Sequence, residues 1–200
     1  MKTTARIHRL AIPLLALLAG LAVQATGASA TDTWDVSISF SRALPVLRPD
    51  TPVPDDPGQV FYLQRSTNRN TIIYAAQFDA DGNLDPRNPL SVYWRRFEED
   101  GQAQSLTFEQ RTFAFGVRVR PAAQPGEFIV RSRAAPRAQA TLRQTGPFRA
   151  ELVMDMDGAQ ISLTYAFVEA IDGLVPRVIE VRAFGRHENG AIANLIARPR

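Results

Sequence analysis

The sequence predicts a mainly β protein: a single antiparallel β-sandwich or barrel-like domain with one short helix. Short apolar or alternating runs recur along the chain, separated by the Gly, Asn, Asp and Pro residues typical of turns. One helix is indicated, by a stretch that carries the side chains of a capping box. The chain has 200 residues and no cysteine, so its core must be held together by packing. Periodicity does not distinguish a sandwich from a barrel.

The first 30 residues predict a cleaved secretory signal peptide. Lys2, Arg6 and Arg9 precede an apolar run over residues 10–23, and small residues lead to an expected cut after Ala30. The apolar run is shorter than the roughly 20 residues that span a bilayer. We therefore expect a periplasmic or secreted product with no transmembrane segment after cleavage.

Removal of the leader changes the net charge. The whole chain carries 23 basic and 20 acidic side chains, which gives +3. Three basic residues and no acidic ones leave with the leader, so the remainder carries 20 minus 20, or zero. A neutral chain gives no support for nucleic-acid binding through bulk charge.

The remaining chain divides into three parts. Residues 31–44 contain an alternating run typical of a strand, and the sequence leaves open whether this arm docks or stays loose. Residues 45–58 hold five prolines and three aspartates, which predict an extended linker. Residues 59–200 form the β-rich domain. Its strand-like runs are 60–65, 71–78, 91–97, 117–120, 127–133, 138–143, 152–156, 161–167, 177–184 and 191–197.

Two hairpins and one helix are predicted within this domain. The first two runs are close enough to form a hairpin, and Asp157-Gly158 is a typical hairpin turn for the pair 152–156 and 161–167. Thr107 and Gln110 fit a capping box for a helix over about 108–115, and Gly116 fits a left-handed terminator. So short a helix needs Phe108, Phe113 or Phe115 to dock into the core.

Several blocks in this order resemble one known family. The blocks are residues 60–66 (VFYLQRS), 70–74 (NTIIY), 78–85 (FDADGNLD), 88–94 (NPLSVYW), 110–117 (QRTFAFGV), 171–173 (IDG) and 178–180 (VIE). Together they resemble an exported bacterial family known as domain of unknown function 4833, over roughly residues 59–190. The resemblance implies an exported location and a domain boundary. It implies no activity and assigns no catalytic residues.

Few side chains after the leader suit conventional catalysis. His187 is the single histidine there, it lies in a polar loop beside Glu188, and no Gly-x-Ser-x-Gly motif occurs. Without cysteine, one histidine does not suffice for a zinc site. We therefore assign no catalytic residue and expect no cofactor and no metal.

One loop is a weak candidate for binding calcium, although we otherwise expect no metal. Asp79, Asp81, Asn83 and Asp85 place oxygen ligands at alternate positions. The EF-hand pattern fails because Leu90 stands where its final glutamate is required. The favoured interpretation is a surface turn.

Arginine is concentrated in one stretch of the domain. Between residues 118 and 149 there are seven arginines and one acid. On strands, Arg118 and Arg120 share a face, as do Arg131 and Arg133. Rows of guanidinium groups suit phosphate or carboxylate. The alternative, which we favour for these side chains, is that they face water or pair with the acids of residues 79–100.

A second candidate ligand-binding set is aromatic and basic. Arg65, Tyr74, Tyr93 and Arg95 lie on neighbouring predicted strands and could line a pocket. The alternative, which we favour, is that these aromatic side chains belong to the core.

Three functions follow as hypotheses. The leading one is a non-enzymatic envelope protein that binds a ligand or partner, for example an anionic envelope lipid or polymer, through an arginine-rich β surface. The second is a hydrolase of envelope glycan or lipid that uses carboxylates such as Glu98, Glu99 and Asp100. The third is a structural or assembly factor.

Overall fold

The computed structural model describes residues 34–133, 139–156, 159–171 and 177–199. The expected leader, the turn at Asp157-Gly158 and Arg137 lie outside the described residues. Within those ranges the chain forms twelve strands and one π-helical turn: β1 (Trp34–Ser41), β2 (Gln59–Arg65), β3 (Thr71–Ala76), β4 (Leu90–Arg95), β5 (Ala103–Ser105), the π-helical turn (Gln110–Ala114), β6 (Val117–Pro121), β7 (Glu127–Ser132), β8 (Gln139–Gly146), β9 (Arg149–Met156), β10 (Ala159–Ile171), β11 (Arg177–His187) and β12 (Ile192–Pro199).

The expected mainly β architecture with one short helix is confirmed. Hydrogen bonds link nine strands in the order β5-β4-β3-β2-β10-β9-β8-β7-β6, with β2 and β9 on one edge of β10, while β11, β12 and β1 continue from its other edge. The sheet is open and curls into a half-barrel. Among the described strands, β2 and β10 form the parallel pair and the other pairs are antiparallel. The antiparallel expectation therefore fails at that one junction.

The sheet divides at β10. The first half of this strand pairs with β9, where Ile161 faces Met154, and the second half pairs with β2, where Tyr165 faces Tyr62. On its other edge β10 pairs with β11, with a register shift between Leu163 and Tyr165. A bulge of this kind bends and twists its strand. The bend therefore falls where one partner strand replaces the other.

Gly185 lets the two backbones come close beside this bulge. It lies on β11 opposite Leu163. A Cβ atom at this position would lie 2.5 Å from Ile161 Cγ2 and 2.6 Å from the carbonyl oxygen of Ser162. Any larger residue would push the strands apart, so glycine permits the tight curl here.

Apolar side chains cover both faces of the central strands. All six residues of β3 are buried. Ile72, Tyr74 and Ala76 belong to the main core on the inner face, whereas Ile73 and Ala75 belong to a smaller cluster on the outer face. A strand with both faces covered has no polar alternation, which accounts for the run of β3 that follows Thr71, Ile-Ile-Tyr-Ala-Ala.

The proline-rich segment, residues 42–58, covers that outer face. It contains neither helix nor strand. Leu44 and Leu47 pack on the smaller cluster, and the hydroxyl of Tyr165 donates to the carbonyl oxygen of Pro45. Arg48 Nη1 donates to the carbonyl oxygens of Arg65 and Ser66, both at 2.6 Å. The segment is therefore part of the packed domain.

The N-terminal strand docks rather than standing free. β1 pairs with β12 over its whole length, from Trp34 opposite Pro199 to Ser41 opposite Ile192. Ile38 packs on the main core. This pairing covers an edge of β12 that would otherwise expose unpaired backbone groups.

The predicted capping box is present. The backbone N–H of Gln110 donates to Thr107 Oγ1 at 3.3 Å, and the N–H of Thr107 donates to Gln110 Oε1 at 3.1 Å. The turn that follows is π-helical, with the N–H of Phe115 donating to the carbonyl of Gln110. Phe115 is buried, whereas Phe108 and Phe113 are exposed. No helix among the described residues is long and apolar enough to cross a membrane.

The expected left-handed terminator at Gly116 is wrong. Gly116 does not have a positive φ. A Cβ atom there would lie 1.7 Å from the carbonyl oxygen of Arg111. Glycine is required because the widened π turn brings its backbone against the start of β6.

Candidate functional site

Strands β6 and β7 present the candidate arginines on one outer face. Arg118 is directly opposite Arg131, and Arg120 is opposite Ile129. Arg133 follows β7 and is exposed, as are the other three arginines. We call Arg118, Arg120, Arg131 and Arg133 the arginine face. The arginines point outward because Val119 and Val130, which immediately precede Arg120 and Arg131, turn inward to the core.

Among the residues that the structure describes, no acidic side chain neutralises the positive charge of the arginine face. Over the described ranges, no ion pair involves any of its four members. Arg131 donates from Nε and Nη2 to Oε1 of Gln139, an uncharged partner, at 3.1 and 2.8 Å. The acid on the same strand, Glu127, lies opposite Arg143 on β8, and Arg143 pairs with Glu151. Arg118 and Arg131 therefore place like charges at facing positions, which destabilises a strand pair when no anion lies between them.

A shallow depression of about 370 Å³ lies on this face. Arg118, Arg120 and Arg131 line it together with Ile129 and Ser132. Guanidinium groups around a partly apolar floor can donate several hydrogen bonds to one anion. The site is open to solvent, so it suits binding rather than sequestered chemistry.

A second cleft lies between the two edges of the open sheet. It has a volume of about 540 Å³ and is lined by β4, β5, the π-helical turn and Val117 at the start of β6. A smaller cavity of about 250 Å³ shares Leu90 and Val117 with this cleft and is also lined by Val119 and Phe128. The sheet therefore has an opening in which the edge strand β6 stands opposite β4.

A family model described as Domain of unknown function (DUF4833) matches residues 61–193. The chain belongs to this family. No curated protein and no solved structure matches it.

The second candidate set is divided between the two faces of the DUF4833 domain. Tyr74 lies in the main core, where its hydroxyl donates to the carbonyl oxygen of Phe115 at 3.1 Å. Arg65 lies on the same side, with its guanidinium carbon 4.9 Å from the ring centre of Trp94. Tyr93 and Arg95 lie on the opposite face. The four side chains therefore do not line one pocket.

Tyr93 and Arg95 instead hold the covering segment through Asp56. The side chain of Asp56 is 4 % exposed. Its Oδ1 accepts from the hydroxyl of Tyr93 and from Arg95 Nε, both at 2.8 Å, and forms an ion pair with Arg95 Nη2 at 2.6 Å. Sequence reasoning missed this group. The sequence signal that could have identified it is an aspartate between prolines, in the segment that we predicted to be an extended linker.

None of the four tyrosines can act as a base near neutral pH. Burial raises the pKa of Tyr62 to about 12. Burial also raises the pKa of Tyr74, Tyr165 and Tyr93, and the hydrogen bond to Asp56 adds to the rise at Tyr93. A hydroxyl with a raised pKa stays protonated and serves as a hydrogen-bond donor.

The candidate calcium loop uses its first carboxylate to hold its own turn. Oδ1 of Asp79 accepts the backbone N–H groups of Asp81 and Asn83 at 3.0 and 2.9 Å. Asp85 accepts the N–H of Arg87 at 2.8 Å. Among the residues that the structure covers, no group of three or more His, Cys, Asp or Glu could hold a metal ion. The geometry is that of a carboxylate-capped turn.

The acidic turn after β4 contacts the loop between β2 and β3 as well as its own neighbours. Glu98 Oε1 accepts the backbone N–H of Arg69 at 3.1 Å, Glu99 pairs with Arg96, and Asp100 accepts the N–H of Gln102 at 2.9 Å.

His187 is also in a local turn. Its Nδ1 accepts the N–H of Asn189 at 3.2 Å, and its ring makes an edge contact with Phe40. A general base needs its lone pair directed at a substrate proton, and this one is directed at its own backbone.

Proposed function

We propose that the protein is a non-enzymatic envelope protein that binds a polyanionic lipid or polymer through the arginine face. The observation that carries the proposal is the exposure of Arg118, Arg120, Arg131 and Arg133 on two adjacent strands with no acidic partner among the described residues. Like charges at this spacing repel, so an external anion removes an unfavourable interaction as well as adding favourable ones.

The chemistry favours phosphate or carboxylate groups spaced along a chain or a surface. Facing residues of paired strands lie about 5 Å apart, and second neighbours on a strand about 7 Å apart. Several guanidinium groups can therefore contact successive anionic groups of one ligand. Charge-assisted contacts of this kind are screened by salt when exposed.

The test measures binding of the purified protein to heparin and to vesicles of phosphatidylglycerol or phosphatidylcholine. We expect binding to heparin or to the anionic vesicles but not to neutral ones, and weaker binding as salt rises from 0.1 M to about 0.5 M. Heparin binding alone would identify a polymer ligand, and vesicle binding alone a lipid. Each exposed contact is worth up to about 1 kcal/mol, so the double variant Arg118→Gln with Arg131→Gln should bind about tenfold more weakly.

The matched control removes two charges elsewhere. Arg177 and Arg186 are exposed on β11, which is five strands from β6 in the sheet. Arg177→Gln with Arg186→Gln changes the net charge equally and should retain most of the binding. Equal losses in the two double variants would show that bulk charge, not the arginine face, is responsible.

The envelope location is part of the proposal and has its own test. Residues 1–30 support it through their basic start and apolar run. The intact mass of protein expressed in a bacterium and recovered from the periplasm should correspond to a chain that begins at Thr31. Full-length protein in the cytoplasm would contradict the location without affecting the binding test.

A further inference from the structure

We propose that the open edge of β6 accepts an extended peptide as an added strand, with acidic residues at alternate positions and apolar residues between them. This goes beyond polyanion binding because backbone groups and the cleft recognise the partner along with the arginines. Strand addition to a sheet edge is a common form of peptide recognition.

The hydrogen-bond pattern shows which backbone groups of β6 are available. The carbonyl oxygen of Gly116 accepts from Arg133 at 2.9 Å, and the N–H of Ala122 donates to Glu127 at 3.0 Å. Along an antiparallel strand, successive residues direct their backbone N–H and C=O groups alternately at the partner and away from it. Because Gly116 and Ala122 bond on the β7 side, the even-numbered residues of β6 direct their backbone groups at β7. Val117 and Val119 direct theirs away from β7. Within the described part of the chain, β7 is the one strand that pairs with β6.

The two faces of β6 differ sharply in chemistry. Arg118 and Arg120 are exposed on the outer face. Val117 and Val119 point the other way, toward the cleft that Leu90 also lines. An added strand would alternate in the same manner, since side chains at facing positions share a face. Its outer residues would meet guanidinium groups and its inner residues would meet apolar surface.

Charge decides against a second copy of this chain as the partner. Two β6 strands paired antiparallel around Val119 would place Arg118 of each opposite Arg120 of the other. Like charges directly opposite one another destabilise a strand pair. An acidic strand relieves that repulsion and also the repulsion within the arginine face.

The edge is short and ends at a proline. β6 has five residues, a length of about 17 Å, and Pro121 has no N–H to donate at the open edge. Short edges that end in proline resist indiscriminate strand pairing. A partner of five or six residues would therefore pair through Val117 and Val119 and gain most of its selectivity from side chains.

The first measurement compares two labelled hexapeptides by fluorescence polarisation. One alternates Glu and Val, and the other has three Glu followed by three Val, so their composition and charge are equal. We expect the alternating peptide to bind at least about tenfold more tightly. Equal affinities would overturn the proposal, because they would show that only charge is recognised.

The second measurement uses Val119→Pro, with Val119→Ala as its matched control. Proline removes the outward N–H but no bond to β7, and edge strands tolerate such a substitution. We expect Val119→Pro to bind both peptides equally weakly, while Val119→Ala still prefers the alternating one. If Val119→Pro does not fold, an alternating peptide with its backbone amides methylated replaces it and should lose the preference on the unmodified protein.

The outcomes separate this proposal from polyanion binding. Heparin binding should be unchanged in Val119→Pro if the arginine face is intact. A preference for the alternating peptide that persists in Val119→Pro would overturn strand addition, and so would a dimer that forms through β6 and is dissociated by Val119→Pro. A peptide preference without any heparin binding would overturn the polyanion proposal alone.

Discussion

Replacement of Asp56 by alanine tests whether the covering segment belongs to the folded domain. The carboxylate of Asp56 accepts the Tyr93 hydroxyl and is paired with the Arg95 guanidinium. Removal leaves a partly buried hydroxyl without its acceptor and a guanidinium without its counter-ion. The substitution also removes a contact that holds residues 42–58 over the smaller apolar cluster.

The expected cost is about 2–3 kcal/mol of unfolding free energy. Loss of one partner of a fully buried ion pair costs about 3–5 kcal/mol. Arg95 is 29 % exposed, so water can partly solvate it and the cost is lower. The hydrogen bond of the Tyr93 hydroxyl by itself is worth about 1 kcal/mol, and Tyr93→Phe should cost about that amount.

Urea unfolding followed by tryptophan fluorescence measures the effect, since Trp94 is buried in the main core. Asp55→Ala is the matched control, because Asp55 is the exposed neighbour and should change stability by less than about 0.5 kcal/mol. The reasoning fails if Asp56→Ala and Asp55→Ala have the same midpoint and slope. The double variant Asp56→Ala with Tyr93→Phe should lose less unfolding free energy than the two single variants lose together, because the residues share one interaction.

Three further predictions concern the π-helical turn and the tyrosines. Gly116→Ala should cost more than about 2 kcal/mol in urea unfolding, because its Cβ would collide with backbone, whereas Gly146→Ala meets nothing within 4 Å and should be nearly neutral; equal effects would contradict the close approach. Gln110→Ala should cost about 1–2 kcal/mol, since its Oε1 completes the capping box and accepts the Trp94 indole N–H at 3.0 Å; an unchanged midpoint would show that neither contact matters. The raised pKa of Tyr62 contributes stability that is complete below about pH 10 and is lost as pH rises toward 12, because the unfolded chain loses the phenolic proton at lower pH than the folded chain. The urea midpoint should therefore fall between pH 10 and pH 12. The fall should be less steep in Tyr62→Phe, which has no hydroxyl to titrate.

Local sequence was enough to predict most strands and the capping box. Alternation of side chains and turn residues act within a few positions, so they identified β2, β3 and β4 and the sequence-adjacent pairing of β2 with β3. The three-residue β5 was missed because Ala103–Ser105 is exposed along its whole length and has no apolar alternation. The choice of Phe115 over Phe108 and Phe113 for the core depended on the π geometry, which the sequence did not indicate.

The candidate site was predicted in part. The sequence placed Arg118 with Arg120, and Arg131 with Arg133, because a strand has a period of two. It could not place the two rows opposite each other, since that depends on the register between β6 and β7. Nor could the sequence show that Tyr74 and Tyr93 lie on opposite faces of the sheet. Both faces of β3 are apolar, so whether the two tyrosines share a face depends on the register between β3 and β4.

By itself, then, the sequence determined a β-rich chain without thiols, the spacing of its strands and the alternation that exposes its arginines. Only the tertiary structure decided the parallel pairing of β2 with β10, the contact of Asp56 with Arg95, and the open edge of β6 beside a cleft. The physical reason is the separation along the sequence of the residues that interact. Side-chain alternation and capping depend on neighbours a few residues away, whereas pairing between strands a hundred residues apart is selected by the packing of the whole core.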